Sequence, residues 1–197
     1  MNKLVFGTAF AALAIAVPAS APAQRLGAAV VAVIDTGRIF RECNACRTAQ
    51  TQLQQQVEQA RQRAQQLGQP LQTEGQSLEN SLKALGGKAP DAALQGRIQA
   101  FQTRQNTANQ ELQNRQATIQ RNQQYVATQI NTKLDPIIKT VMQSRGANIA
   151  VDMQATLATS PSIDVTNDVL AQLNQQLTTV NVNAPAAPAN APQSQGR

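Results

Sequence analysis

The chain has 197 residues and a net charge of +6, with two cysteines, no histidine and no tryptophan. Histidine is the commonest general base and the commonest metal ligand, so its absence excludes Ser-His-Asp and Cys-His catalysis and most zinc sites. We therefore expect neither an enzyme nor a protein with a bound cofactor or metal.

Residues 1–23 have the pattern of a secretory signal peptide. Lys3 supplies the positive charge, Leu4 to Val17 form the apolar run, and Ala21-Pro22-Ala23 offers a cleavage site. As a helix the apolar run covers about 21 Å, which is shorter than the roughly 30 Å hydrocarbon core of a bilayer. We expect this segment to be removed near Ala23 and the remaining chain to be exported.

Residues 24–47 are predicted to form the first part of a small base. Val30 to Ile34 is a short apolar run rich in β-branched residues, as expected of a buried strand. Asp35 or Thr36 follows directly and can cap the start of a helix.

Cys43 and Cys46 form a C-x-x-C pair just after that predicted helix start. A pair in an oxidising compartment favours a disulfide. In a regular helix, however, Cβ atoms three residues apart lie about 5–6 Å from each other, beyond the roughly 4 Å of a disulfide. A structural disulfide therefore requires a distorted first turn. A link between subunits, a shared metal and thiol–disulfide catalysis are the alternatives.

Residues 48–135 are rich in glutamine and carry apolar residues at the spacing of a coiled coil. The seam of the first arm consists of Leu53, Val57, Ala60, Ala64, Leu67, Leu71, Leu78, Leu82 and Leu85. Gly68, Pro70 and Gly75 interrupt this seam, and we expect a bend or weak point near Pro70. Residues 86–90, Gly-Gly-Lys-Ala-Pro, predict the turn of a hairpin, with Asp91 as the cap of the return helix.

The return arm keeps the same spacing from Leu94 to Ile130, although Gln105, Arg115 and Asn122 occupy positions of the seam. An arm of about 40 residues is roughly 60 Å long at the helical rise. Polar residues and alanines in a seam bury little apolar surface when two helices pair. We therefore expect the arms to associate weakly and to flex.

The positive charge is concentrated in these arms: positions 47 to 133 contain ten Lys and Arg residues and only five Asp and Glu residues. Lys88 lies within the predicted turn and Lys83 and Arg97 lie on either side of it, so that the three form a basic group at the arm tip. Such a surface favours acidic clients or anionic lipid surfaces; a solvated face that only aids solubility is the alternative. Because the charges are scattered with little aromatic interleaving, nucleic acid is not an expected partner.

Residues 136–180 are predicted to return to the base. Asp135-Pro136 is expected to bend or restart the helix, and Gly146 fits its C-terminal end. A strand is predicted from Asn148 to Met153, with Ile149, Val151 and Met153 on one face.

A second short strand is predicted from Ser162 to Val165, and Thr166 is the candidate cap of a final amphipathic helix. Residues 181–197 consist almost entirely of Ala, Pro, Asn, Gln and Ser. This composition offers no hydrophobic period to bury, so we expect a disordered tail.

The predicted fold is mainly α with a small β part, in which a long antiparallel helical hairpin emerges from a β-rich oligomerisation base. One copy offers at most three short strands, which is too small a base to be stable alone. We expect several copies to pool their bases through a set of apolar residues: Val31, Val33, Ile149, Val151, Met153, Ile163, Val165 and Leu170.

Two segments of the chain resemble the Skp/OmpH family of periplasmic outer-membrane-protein chaperones. Val31 to Phe40, VAVIDTGRIF, is similar to the family's opening strand and Arg-Ile-Phe helix start. Ala147 to Asp152 and Ser160 to Leu170 are similar to its closing strands and last helix. The resemblance spans Val30 to Asn174, with the arms matching in period and length only.

The resemblance implies a periplasmic homotrimer with a β-barrel-like body and three helical arms around a cavity for unfolded outer-membrane β-barrel proteins. The function it implies is that of an ATP-independent holdase, which keeps such clients from aggregating. A structural or adaptor coiled coil of the cell envelope is the alternative. The cysteine pair, the long Pro/Ala tail and the neutral, glutamine-rich arms depart from the family's pattern.

Overall fold

The computed structural model describes residues 27–186. Helices α1 to α4 span Thr36–Glu42, Asn44–Ala84, Ala92–Ser144 and Thr166–Gln176. Strands β1, Val31–Ile34, and β2, Ile149–Asp152, form a two-stranded sheet. The prediction of a mainly α fold with a small β part is confirmed. The predicted signal peptide and residues 187–197 of the predicted tail lie outside the described residues.

The sheet joins two segments that are far apart in the sequence. β1 and β2 are parallel, with Val31 paired to Ile149 and Ile34 paired to Asp152. Asn148 extends this contact, since its side chain accepts the N–H of Val30 at 2.8 Å and donates to the carbonyl of Ala28 at 2.7 Å. Parallel strands need a long crossover, and here α1 and the two long helices supply it.

The predicted strand from Ser162 to Val165 is wrong. A 3₁₀ turn, Pro161–Ile163, takes its place, followed by a single parallel bridge between Val33 and Asp164. Met153 likewise begins a 3₁₀ turn instead of continuing β2. In both turns a side-chain oxygen just before the turn accepts a backbone N–H two residues on. Such local hydrogen bonds compete with strand pairing.

The core lies where the root of α3 meets β1, α1 and α4. Its largest fully buried side chains are Ile39, Ile130, Ile137, Val141, Val169 and Leu173. From Ile119 to Val141 the buried residues of α3 recur every three or four positions, which places them on one helix face. This face anchors the long return helix to the base.

Both long helices run through a proline without ending. Pro70 lies inside α2 and Pro136 inside α3, so the expected restart of the helix at Pro136 is wrong. A proline removes one helical hydrogen bond. Both prolines are exposed, so water can satisfy the carbonyl that loses its partner.

The turn between the arms is built on two glycines. Gly86 and Gly87 have φ values of +57° and +90°, in the left-handed region that residues with a Cβ rarely adopt. Asp91 then caps α3, with its carboxylate accepting the N–H of Leu94 at 2.8 Å. The predicted cap is therefore confirmed.

Residues 178–186, here called the C-terminal strap, run from the end of α4 across the root of the arms. Val182 is buried in the core cluster and Val180 packs against it, whereas Asn181 and Asn183 are exposed. Asn183 forms a bend, in which the side-chain oxygen of Asn181 accepts its N–H at 2.9 Å. The prediction of a disordered tail is therefore wrong for residues 181–186, because Val182, following Val180, gives this part of the chain an apolar side chain to bury.

Candidate functional site: the groove between the arms

Helices α2 and α3 form an antiparallel hairpin that is held by polar pairs. From the tip to the root, these pairs are Ser77 with Arg97, Glu74 with Arg104, Arg63 with Glu111, and Gln56 with Asn122. Residue numbers fall along α2 as they rise along α3, which is the order of antiparallel helices. Each pair joins the two arms at a different height.

The apolar seam between the arms is only partly buried. Val57 and Leu82 are 39% and 41% exposed, whereas the buried residues of the seam above Asn122 are Leu78, Leu94, Ala108 and Ile119. Gln105 and Arg115, which the heptad spacing places in the seam, are exposed. Little apolar burial therefore holds the arms together, in keeping with the expected weak association.

Glu111 ties the arms together through two arginines. Its carboxylate accepts hydrogen bonds from Arg63 Nε at 2.8 Å and Nη2 at 3.1 Å, and from Arg115 Nε at 2.9 Å. These hydrogen bonds, from Arg63 first and then Arg115, lower the pKa of Glu111 from 4.5 to about 2. The carboxylate therefore stays ionised at physiological pH and keeps both guanidinium groups paired.

A groove with a volume of 730 Å³ opens between the arms around this network and extends towards their root. Its floor includes Ala60 and Ile119. Its polar lining consists mainly of carboxamide and hydroxyl side chains: Gln56, Gln59, Gln110, Asn114, Asn122, Asn183, Thr107 and Thr118. A carboxamide offers both a donor and an acceptor, so the groove is equipped to pair with neutral polar groups.

The C-terminal strap closes the root end of the groove through hydrogen bonds to side-chain amides. Gln129 donates to the carbonyl of Asn181 at 2.8 Å and accepts the N–H of the same residue at 3.1 Å. Asn122, 3% exposed, accepts the N–H of Ala184 at 2.9 Å and donates to Gln56. The heptad pattern places Asn122 in the seam but gives no sign of this partner.

Gly75 makes room for an aromatic side chain in the seam. A Cβ added at Gly75 would lie 3.4 Å from Cζ of Phe101, so the ring packs directly over the glycine. The sequence pattern treats Gly75 only as an interruption. The signal for its role is the aromatic residue at the corresponding height of the other arm.

Cys43 and Cys46 form a disulfide at the junction of α1 and α2, with their Cα atoms 5.1 Å apart. Cys43 ends α1 and caps α2, and its ψ of 128° lies outside the helical range. This break between the helices supplies the distorted turn that the bond requires. The two residues are 0% and 3% exposed, so the bond is buried in the base.

The basic group at the arm tip is exposed but partly neutralised. Lys83 pairs with Glu79 at 2.6 Å and lowers the pKa of that carboxyl group. Arg97 donates to the hydroxyl of Ser77 at 3.1 Å. Lys88 is exposed beside the two glycines of the turn. The structure thus brings the three residues to one end of the arm.

The predicted oligomerisation residues divide into two groups. Val33 and Val165 are buried within one chain. Ile149 is 43% exposed, and the others are partly buried: Val31, Val151, Met153, Ile163 and Leu170. Val30 and Leu157, 46% and 108% exposed, add apolar surface that the sequence pattern does not single out. Within residues 27–186 no third strand covers the outer edge of β2.

None of the helices in the described part of the chain is long and apolar enough to cross a membrane. The same residues contain no cluster of three or more His, Cys, Asp or Glu side chains that could hold a metal ion.

The structure has a small base, made from segments far apart in the sequence, and one long helical hairpin with a polar groove along it. This architecture defines a class of arm-bearing proteins. A family model described as outer membrane protein (OmpH-like) matches residues 30–173. The chain therefore belongs to this family, the Skp/OmpH family.

Two relatives agree with this membership. The chaperone protein Skp of Yersinia enterocolitica is 27% identical over 166 residues, covering 83% of this chain and 95% of the relative. A crystal structure from Caulobacter crescentus CB15, described as an OmpH-like outer membrane chaperone, superposes with a TM-score of 0.67. It is 17% identical and covers 87% of this chain and 99% of its own, so it supports the fold.

Proposed function

We propose that this protein is an ATP-independent periplasmic holdase that binds unfolded outer-membrane β-barrel proteins between its arms and keeps them from aggregating. The observation that carries the proposal is a long hairpin whose inner side is open, polar and weakly packed, mounted on a tightly buried base. The similarity to the Skp chaperone supports the same conclusion. Residues 1–23 would direct export and be removed near Ala23.

The proposed active form is a homotrimer. The base offers exposed apolar side chains at Val30, Ile149 and Leu157, and a sheet of only two strands. A sheet of this size is rarely stable by itself, and apolar residues on a strand edge favour pairing with another chain. Three bases together would bury these residues and hold three arms around one cavity.

Weak arms suit a holdase because many weak contacts acting together bind strongly without a tight site. Enclosure between arms separates the strand edges of different clients, whose pairing leads to aggregation. Lys83, Lys88 and Arg97 at the tip are proposed contacts for acidic client segments or anionic lipid surfaces. Co-sedimentation with anionic vesicles, compared between the wild type and the Lys88→Ala variant, tests the lipid contact.

The decisive experiment dilutes a urea-unfolded outer-membrane β-barrel into buffer with the purified protein and follows light scattering. Suppression at about one trimer per client supports the holdase. A trimer that leaves aggregation unchanged contradicts it and favours the structural or adaptor function.

The trimer is tested separately by multi-angle light scattering. Ile149→Glu places a charge on the exposed apolar surface of the base and should reduce the mass from trimer to monomer. Leu82→Glu is the matched control, because Leu82 is exposed to the same degree, 41% against 43%, but lies in the arm. Equal masses for both variants would contradict the proposed interface.

A further inference from the structure

We propose that the groove between the arms binds extended polypeptide by its backbone, in the same way that the arms hold the chain's own C-terminal strap. The inference rests on the proposed holdase function and specifies what the arms recognise. The ligand is a neutral, extended segment of an unfolded chain, and the groove recognises it by hydrogen bonds to its main-chain N–H and C=O groups.

The C-terminal strap is the built example of this recognition. Gln129 contacts both backbone groups of Asn181, and Asn122 accepts the N–H of Ala184. These three hydrogen bonds involve no side-chain atom of the strap; a fourth and longer one runs from Gln56 Nε2 to the side-chain oxygen of Asn183 at 3.3 Å. A carboxamide pairs with a peptide group whatever residue carries it.

The two arm amides that hold the strap lie along one side of α3. Gln129 and Asn122 are seven residues apart, which is two helical turns or about 10.5 Å. Asn181 and Ala184 are three residues apart, and Asn183 between them forms a bend in which Asn181 Oδ1 accepts its N–H at 2.9 Å. In this pair, polar side chains two turns apart on α3 therefore form hydrogen bonds with backbone groups three residues apart in the strap.

The same helix face continues into the groove. Asn114 and Thr107 lie eight and fifteen residues before Asn122 on α3, and both line the groove. Within residues 27–186, the exposed amides of Gln59, Gln110 and Asn114 form no hydrogen bond with another side chain or with the backbone. The groove therefore continues the surface that binds the strap, and its side-chain amides are free to form hydrogen bonds with a ligand.

The charges of the groove favour a neutral occupant. Glu111 and Arg115 line it and are paired with each other at 2.9 Å, and Glu111 is also paired with Arg63 at 2.8 Å. The floor at Ala60 and Ile119 is apolar. A backbone flanked by small or apolar side chains satisfies both features, whereas a highly charged segment would have to break the existing pairs.

The first test needs no variant. A fluorescent peptide of alternating Thr and Val, and the same peptide N-methylated at alternate residues, are titrated with the full-length protein and followed by anisotropy. N-methylation removes backbone donors and leaves the side chains intact, so we expect binding to weaken at least tenfold, about 1.4 kcal/mol. Equal affinity for both peptides would overturn the proposal.

The second test removes the amides without changing their approximate size. The variant Gln59→Met, Gln110→Met, Asn114→Leu should lose at least tenfold in peptide affinity with its helical content preserved. The control replaces Gln55, Gln113 and Gln120 by Met; these are exposed glutamines of the same two helices outside the groove. A groove variant that binds as well as this control would refute backbone recognition there.

A chain ending at Ala186 tests the rival occupant, the chain's own last residues. Unchanged peptide affinity supports a client in the groove, and a gain of tenfold or more would assign the groove to residues 187–197. The proposed function fails separately, when the wild type does not suppress client aggregation. If the wild type suppresses client aggregation but binds both peptides equally, only the inference about the groove is refuted.

Discussion

Replacing both cysteines by alanine should destabilise the base without abolishing client binding. The disulfide closes a loop of only four residues, Cys43 to Cys46. The loop-entropy relation gives about 2 kcal/mol for a ring of this size, compared with about 3 kcal/mol for fifteen residues. Cys43 Sγ also accepts the N–H of Cys46 at the start of α2, and the loss of a helix cap costs about 1 kcal/mol. We therefore expect a loss of about 2–3 kcal/mol.

The assay is urea unfolding followed by helical circular dichroism at equal protomer concentration, because the stability of an oligomer depends on concentration. The variant Cys43→Ser, Cys46→Ala keeps an acceptor at the cap and should recover about 1 kcal/mol. Suppression of client aggregation should stay within twofold of the wild type. A protein that keeps its stability but loses suppression would refute the structural role and favour thiol chemistry, and a covalent dimer on a non-reducing gel would indicate a link between subunits.

Three further predictions concern single residues. Thr166→Val removes the buried hydroxyl that accepts the N–H of Asp35 at 2.9 Å, so the free energy of unfolding should fall by about 1–3 kcal/mol, while Thr132→Val on the exposed face of α3 should change it by less than about 0.5 kcal/mol. Gly68→Ala lies inside α2 with no atom near the added Cβ, so thermal unfolding should show a gain of about 1 kcal/mol; a loss would contradict a regular helix there. Because the folded pKa of Glu111 is about 2 against an ordinary 4.5, its contribution to stability is complete above about pH 4.5 and is lost as the pH falls towards 2. The urea midpoint of the wild type should therefore fall more on acidification than that of Glu111→Gln, and parallel curves would refute the role of the Arg63 pair.

The helices were predictable because their signals are local. The four-three spacing of apolar residues and the capping carboxylate of Asp91 each lie within a few residues of the structure they specify. The weak seam also follows from composition, since glutamine and alanine bury little apolar surface. These features do not depend on which segments meet in three dimensions.

The remaining features depend on contacts between distant segments. Thr166 has the sequence pattern of a helix cap, but its hydroxyl accepts the N–H of Asp35, the N-cap of α1, 131 residues away. The N-cap of α4 is Val165, without a side-chain hydrogen bond. The C-terminal strap was hidden by a composition typical of disorder. The alternation of Val180 and Val182 with asparagines was the available signal, and its partner Gln129 could not be recognised among so many glutamines.

The distribution of burial indicates where the arms can separate. Above Asn122 the arms are joined by polar pairs that water can replace, each contributing about 0.5–1.5 kcal/mol, or somewhat more for a charged pair. Four seam residues there are buried, Leu78, Leu94, Ala108 and Ile119, and the others are at least partly exposed. Below it, Ile130, Leu134 and Ile137 are at most 3% exposed, and the strap joins the core to the arm amides. We therefore expect the arms to open from the tip down to Asn122 and to stay closed at the root, because opening the root would also have to pull Val182 out of the core. The strap thus limits how far a client can enter between the arms. The part of each arm that can move extends from the tip to Asn122.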